Sequence, residues 1–553
     1  MTAPRVAQVV FGLPVDGPFD YIIPEELSGK VFPGGRVLVR FAGRKRAGVV
    51  VRLLQQTAHD GKLSVLIKIL DENPVFAPAF LKFAERFAAR FACSTGEALE
   101  MCLPAYLRGA KAFACAAMDH HWPEEAGTAE LVFDRGQTQR WEILLPRITA
   151  VLAEGRGVIV MMPDAARCHD VLPKLGPLLP AEERVLLAGS TPKEEYGRWL
   201  SVRSGKVRLA AGFIAAVFAP VRNLGLIVVL DEENAFYRHE QTPFFHAREA
   251  AFERAAAEGC DVVCVSSAPS VELWHRVEKK TVRLTLLEEL LPPVKFLDLT
   301  NFKMRKDTFI SLGLRHHLET ALKEKRQFLL YIQAARGVGG VCAEVKKIFP
   351  GARVAGYDRT STAMPEDFDI LVATQSVFRH RAALKVAAAA VLDIDWEFHK
   401  HDIQAAHSAF ALVQHLRQMV QAYLLLQTRN VADPFLHTLA SADGADFYRR
   451  ELTLRQEMGV PPFQAQASVI VRSEDPALAC AEAKRLYDSV INILPEGVTA
   501  IDPEQDRAAL VRGKFRYCFL VQGDARAAVV AAARQALRLF RPKKDTVVTV
   551  SMD

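Results

Sequence analysis

An α/β chain of three or four domains is predicted from three observations. At 553 residues the chain is too long for one hydrophobic core. Its centre, Leu224 to Glu272, alternates strand and helix patterns, which is the mark of an α/β layer. Its first hundred or so residues instead carry short apolar runs broken by turn residues, which predicts a small twisted antiparallel β domain or barrel.

Composition bounds the compartment and little more. Half of the residues are apolar and 24 % are charged, as in ordinary globular proteins. No apolar run reaches the length of a membrane span, and MTAPRVAQVV lacks the apolar core of a signal peptide, so a cytoplasmic protein without a membrane partner is expected. The nine cysteines are dispersed without any C-x-x-C pair, which predicts reduced thiols and no zinc ribbon. A net charge of +6 permits nucleic-acid binding without demanding it.

In order along the chain, residues 1–108 form the β-rich unit, within which a helix over Ala77–Phe91 follows the strand runs. The hairpin VLVRFAGRKRAGVVV places Arg44, Lys45 and Arg46 at a turn, and with Arg36, Arg40 and Arg52 nearby they could cradle phosphates. The plainer reading is a solvated hairpin tip. Residues 109–130 read as a linker. From Leu131 an α/β lobe begins, and its centre is LGLIVVL (Leu224–Leu230), a strand that delivers Asp231-Glu232-Glu233 to its end. Consecutive carboxylates there suit a nucleotide site, where one acid holds Mg²⁺ through water and the next polarises an attacking water. Surface acids after a strand are also common, so the triplet alone is a weak signal. An alanine-rich helix, His246–Gly259, a strand, Asp261–Val265, and a Ser-Ala-Pro corner complete the centre of a helicase-type ATPase lobe.

These residues resemble the PriA family, the replication restart helicases also called primosomal protein N-prime. Its DEEH corner, following Tyr, P-x-Y-H-A-R helix start and S-A-T-P corner read here as DEEN with Tyr237, Pro243, Phe245-His246-Ala247-Arg248 and Ser267-Ala268-Pro269. Residues 1–108 resemble the family's 3′-DNA-binding domain, in which a Phe-Asp pair lines the pocket for a strand's 3′ end; Phe19 and Asp20 match it. Ala42 and Ser64 stand where the family has a glycine and a pocket lysine. The resemblance implies two RecA-like lobes, 131–290 and 291–440, flanked by the β-rich domain and by a C-terminal α+β domain, 441–553. In that last domain Arg512, Lys514, Phe515, Arg516 and Tyr517 interleave cations with aromatics, a pattern suited to single strands. A strand with a basic outer face is the alternative.

The departures from the family carry equal weight. Counting back from GRGVIVMMPD lays DRGQTQRW (Asp134–Trp141) over the family's P-loop, with Arg140 at the lysine and Trp141 at the Mg²⁺-binding threonine. None of the loop glycines aligns, and backbone amides wrap a triphosphate only where small residues let the chain approach. Linker 109–130 is too short for the family's winged helix, and Ile332 to Gly339 leaves no room for its eight-cysteine zinc module. Only Arg417 lies near the family's paired arginines. His399, His401 and His407 cluster near Asp395 and Asp402, but their spacing matches no zinc motif.

The expectation is therefore a PriA-like protein of replication restart and primosome assembly that binds branched or single-stranded DNA through Phe19, Asp20, Arg44, Lys45, Arg46, Lys514, Arg516 and Tyr517. Replication restart proteins or a single-strand-binding protein are its expected protein partners. Arg140, Asp231 and Glu232 mark the remnant of a nucleotide site, with Asp231 and Glu232 vestigial catalytic acids. No cofactor is expected: no zinc, and little to hold ATP or Mg²⁺. The enzyme alternative is a superfamily 2, 3′–5′ helicase with weak residual turnover through those acids. A third reading is an interaction scaffold that has lost DNA binding too.

Overall fold

The computed structural model describes residues 5–111, 126–136, 139–189, 191–302, 309–398, 403–441 and 444–553. Most of the expected linker, and His399, His401 and Asp402, lie outside them.

The first sheet holds β1 (Val6–Val10), β2 (Phe19–Ile22), β3 (Arg36–Phe41), β4 (Arg44–Leu54), β5 (Ser64–Val65) and β6 (Lys68–Ile69), in the order β5-β2-β1-β4-β3-β6. Its two edges meet in one short segment: Leu66 N–H donates to Ile22 O and Ile67 N–H to Leu38 O. That closes the sheet into a barrel, with Val9, Val37, Val39 and Val50 inside. α1 (Pro78–Phe91) and the short α2 (Thr95–Met101) follow, the second opened by a Ser94–Glu97 capping box. Phe80, Phe83, Phe87 and Phe91 fall at helical spacing on one face of α1 and are all buried.

The next sheet is parallel and seven-stranded. It is built from β7 (Ala129–Asp134), α3 (Arg140–Ala153), β8 (Gly157–Met161), α4 (Cys168–Leu175), β9 (Arg184–Leu187), α5 (Pro192–Arg203), β10 (Leu209–Gly212) and β11 (Leu224–Leu230). A small hairpin of β12 (Arg238–His239) and β13 (Phe245–His246) precedes α6 (Ala247–Glu258), β14 (Asp261–Ser266), α7 (Val271–Glu278) and β15 (Arg283–Leu287). The strand order is β15-β7-β14-β11-β8-β10-β9, with β11 wholly buried near the middle. Gly259 ends α6 in the left-handed conformation at φ 64°. The phenylalanine face of α1 lies against this lobe: Phe87 meets Phe218 at 5.6 Å and Phe245 at 5.1 Å between ring centres, so barrel helix and lobe share one core.

A second parallel sheet, six-stranded, takes the order β16-β21-β20-β17-β19-β18. Its elements are β16 (Val294–Asp298), α8 (Leu312–Lys323), β17 (Phe328–Tyr331), α9 (Val338–Ile348), β18 (Val354–Tyr357), β19 (Ile370–Ala373), β20 (Val386–Val391), α10 (Asp395–Phe398), α11 (Ala405–Arg417), β21 (Val420–Thr428) and α12 (Pro434–Ala440). α13 (Ala445–Glu457), expected in the last domain, packs in this lobe's core instead: Phe447 stacks on Phe410 at 4.3 Å. The last sheet is antiparallel, with the order β23-β24-β22-β25. It runs β22 (Ala465–Ser473), α14 (Pro476–Ile491), β23 (Val498–Val511), β24 (Lys514–Gly523), α15 (Arg526–Leu539) and β25 (Thr546–Met552), a β-α-β-β-α-β unit. No helix among the described residues is long and apolar enough to cross a membrane.

Candidate functional site

β11 ends at Leu230, and Asp231 turns the chain in the left-handed region at φ 51°. Its carboxylate lies 1 % exposed among three guanidiniums. Arg140, the first residue of α3, reaches Oδ1 at 3.1 Å, and Arg167, after β8, reaches Oδ2 at 2.9 Å. Arg381, sent across from the second lobe, pairs with Oδ1 as well. Asp134 at the end of β7 is the second counter-charge, accepting from Arg140 Nε at 2.9 Å and from its backbone N–H at 3.2 Å. Burial alone would raise the Asp231 carboxyl, but Arg167, Arg381 and Arg140 outweigh it and hold it far below the usual range. Burial lowers Arg381 to about 10, so it stays charged at neutral pH.

The two glutamates face elsewhere. Glu232 accepts from Ser270 N–H at 2.7 Å, Ser270 Oγ at 2.9 Å and Arg248 at 2.6 Å, which ties the acidic corner to the start of α7. Its burial pushes the carboxyl up despite Arg248. Glu233 accepts from Ser266 Oγ at 2.7 Å and from His415 Nε2, on α11 of the second lobe, at 3.2 Å. Tyr237 is buried, and its hydroxyl donates to Leu230 O at 2.8 Å.

A carboxylate from the segment after β15 lies against the loop laid over the P-loop. A Cβ placed on Gly136 would sit 1.4 Å from Glu289 Oε2, so an acid fills the side on which a glycine would admit phosphate. Gln418 of the second lobe donates to Arg135 O at 2.6 Å on the same loop. Arg417 is not at the acid; it donates to Pro292 O at 3.0 Å and Ser441 O at 3.1 Å. Residues 137 and 138 of this loop are outside the described set.

Burial, then Arg381, lowers His415 to about 4, although Glu233 and Asp231 pull the other way. A base depressed below its unfolded value of 6.5 favours the fold fully above pH 6.5 and loses that contribution as pH falls toward 4. His415→Gln is therefore expected to flatten the loss of stability between those limits, by on the order of 3 kcal/mol, in urea unfolding followed at successive pH values.

At the barrel, the structure separates residues that stand together in the sequence. The turn is Ala42-Gly43, both left-handed at φ 47° and 77°, so Arg44, Lys45 and Arg46 begin β4 rather than forming the tip. The register pairs Phe41 with Arg44 and Val39 with Arg46, on the barrel's inner face, while Lys45 pairs with Arg40 outside. Phe19 joins the inner group, 4.9 Å from Phe41 and 5.8 Å from Phe11. Asp20 faces outward, where it accepts from Gln8 at 3.0 Å and from Thr57. Arg36 belongs to neither group. It is 1 % exposed, paired with Asp71 at 2.6 Å, and donates to Leu107 O, Gly109 O and Lys111 O, so it cannot reach a phosphate.

In β24 the two-residue period splits cations from rings. Register pairing puts Arg516 opposite Arg472 on one face and Tyr517 opposite Val471 on the other. Tyr517 packs against the helix-side core, and Arg516 pairs with Asp506 at 2.7 Å. Lys514 is half-buried beside the Arg512-Gly513 turn. Tyr517 is therefore not on a base-stacking face with the cations. His407, from the histidine cluster, is buried with Nε2–H shared between Ala268 O and Pro269 O, at 3.0 and 2.9 Å. Among the described residues no group of three or more His, Cys, Asp or Glu could hold a metal ion.

Sequence reasoning missed Asp134, Arg167, Arg381 and His415. Asp134 had a signal, since it ends an apolar strand as Asp231 does; the others sit in turns or on a helix with no motif around them.

Comparison with known proteins adds the lineage. Residues 8–104 match the family described as the 3′DNA-binding domain (3′BD). The replication restart protein PriA of Treponema pallidum (strain Nichols) is 23 % identical over 99 % of this chain and 98 % of that protein. That of Bacillus subtilis (strain 168) is 22 % identical over 74 % of this chain, which spans 62 % of its length. Among solved structures, the DUF1998 helicase MrfA bound to DNA is similar with a TM-score of 0.38 and 13 % identity, over 59 % of this chain and 47 % of that one.

Proposed function

Since the chain belongs to the PriA replication restart family, we propose that it binds branched or single-stranded DNA in replication restart and does so without hydrolysing ATP. The observation that carries the second half is Asp231. An acid that is to hold Mg²⁺ through water needs free oxygens, and here three arginines occupy them. The Glu289 side chain lying against Gly136 leaves a triphosphate no room to approach the loop there. Two lobes would then serve as a rigid frame that presents DNA to restart proteins or to a single-strand-binding protein.

The first half rests on the barrel, whose match to the 3′DNA-binding domain covers Phe19 and the basic start of β4. Arg44 and Arg46 beside Phe19 combine phosphate-binding charge with a ring on which a terminal base can stack. The test is binding of labelled forks and blunt duplex across a salt series. Forks are expected to bind more tightly, and affinity to fall steeply with salt as phosphate counterions are released. Reversing Arg44, Lys45 and Arg46 to Glu is expected to weaken fork binding severalfold; equal binding by the variant at moderate salt would remove the barrel from the DNA path. Purified protein is expected to hold well under one zinc per chain, checked by metal analysis. A full equivalent would return attention to the His399–His407 segment.

A further inference from the structure

We infer that the two lobes are latched to each other by side chains, so that their relative position does not answer to a nucleotide. The inference rests on the reading of Asp231 above and extends it from chemistry to motion. Closure of two lobes around a ligand works only when the interface between them is weak without that ligand. Here the facing walls are joined directly, at three levels.

At the floor of the cleft, Arg381 meets Asp231 and His415 meets Glu233. At its rim, Gln418 holds the Arg135 carbonyl. Along the Ser-Ala-Pro corner, His407 caps the Ala268 and Pro269 carbonyls, Tyr448 Oη–H donates to Pro269 O at 2.6 Å, and Gln404 and Arg455 reach Glu272 at 2.8 and 3.0 Å. The Trp274 and Tyr448 rings stack across the same joint at 4.3 Å. Arg381 and Asp231 have side chains only 2 % and 1 % exposed, so parting the lobes would strand both charges in a low dielectric. Because the three levels must break together, partial opening brings little relief. The latch therefore takes the place that a bound nucleotide holds in a ligand-gated pair of lobes.

Hydrogen exchange on the full chain tests this, with and without Mg²⁺ and the non-hydrolysable analogue AMP-PNP. Peptides covering 231–234 and 404–418 are expected to exchange within about twofold of each other in the two conditions. The double variant Arg381→Ala/His415→Ala is expected to speed exchange there by about tenfold or more, with β8 and β17 as slow as in the parent to show that both lobes remain folded. Should β8 or β17 loosen as well, Gln418→Ala decides, with faster exchange at 404–418 alone expected. A change above about threefold with AMP-PNP in the parent overturns the latch, as does parental exchange in the variants. ATP turnover on the same samples separates the two ideas: turnover sinks the proposed function, whereas parental exchange in the variants without turnover sinks only the latch.

Discussion

Asp231→Asn is expected to lower stability by about 3–5 kcal/mol, because it strips three buried guanidiniums of the carboxylate they share, leaving Asp134 to Arg140 and the more exposed Asp170 to Arg167. Urea unfolding reads this as a lower midpoint with an unchanged slope. The same substitution is expected to leave DNA-stimulated ATP turnover and strand unwinding where they stand in the parent, at background. A phosphate cradle, a Mg²⁺ hydroxyl and a free acid are each worth roughly 3–4 kcal/mol of transition-state stabilisation, so losing two or three removes on the order of five decades of rate. Such losses need not add, yet half of that total still leaves no useful motor. Turnover above background in the parent that vanishes in Asp231→Asn would overturn this and favour the helicase alternative.

Arg36→Ala is expected to cost a similar amount, about 3–5 kcal/mol, by a different route. It would leave Asp71 buried without its counter-charge and release the Leu107–Lys111 segment that follows α2. Thermal unfolding with a barrel-specific readout measures the effect. Fork binding under conditions where the variant is folded should match the parent, in contrast to the triple reversal at β4. A normal melting temperature with weakened DNA binding would return Arg36 to the phosphate-binding set.

How much could be read beforehand depends on whether a signal was local. The strand Leu224–Leu230, helix α6 and strand β14 were legible because their apolar periods are unbroken and a left-handed glycine closes the helix. The side of Tyr517 is legible too, since a strand's two-residue period sets it on the face away from Arg516, whereas the aromatic-basic composition of the segment points to one shared face. The hairpin tip was displaced by two residues because Ala42 adopts a conformation more usual for glycine. Arg36 and Asp231 were not legible in kind. Their partners lie far along the chain, at Asp71 and at Arg381, and whether a charge is free or captured is decided only when such segments meet.

The phenylalanine ladder of α1 has a consequence for descent as well as for folding. Phe83, Phe87 and Phe91 do not simply attach the barrel; they finish the lobe's interior against Phe218 and Phe245, and Phe80 lies under the Arg254 guanidinium of α6. A lineage that discarded the barrel would expose that aromatic wall, and the bare lobe would become sticky unless α6 and its neighbours turned polar in the same step. The barrel and the lobe are inherited, and should melt, as one piece.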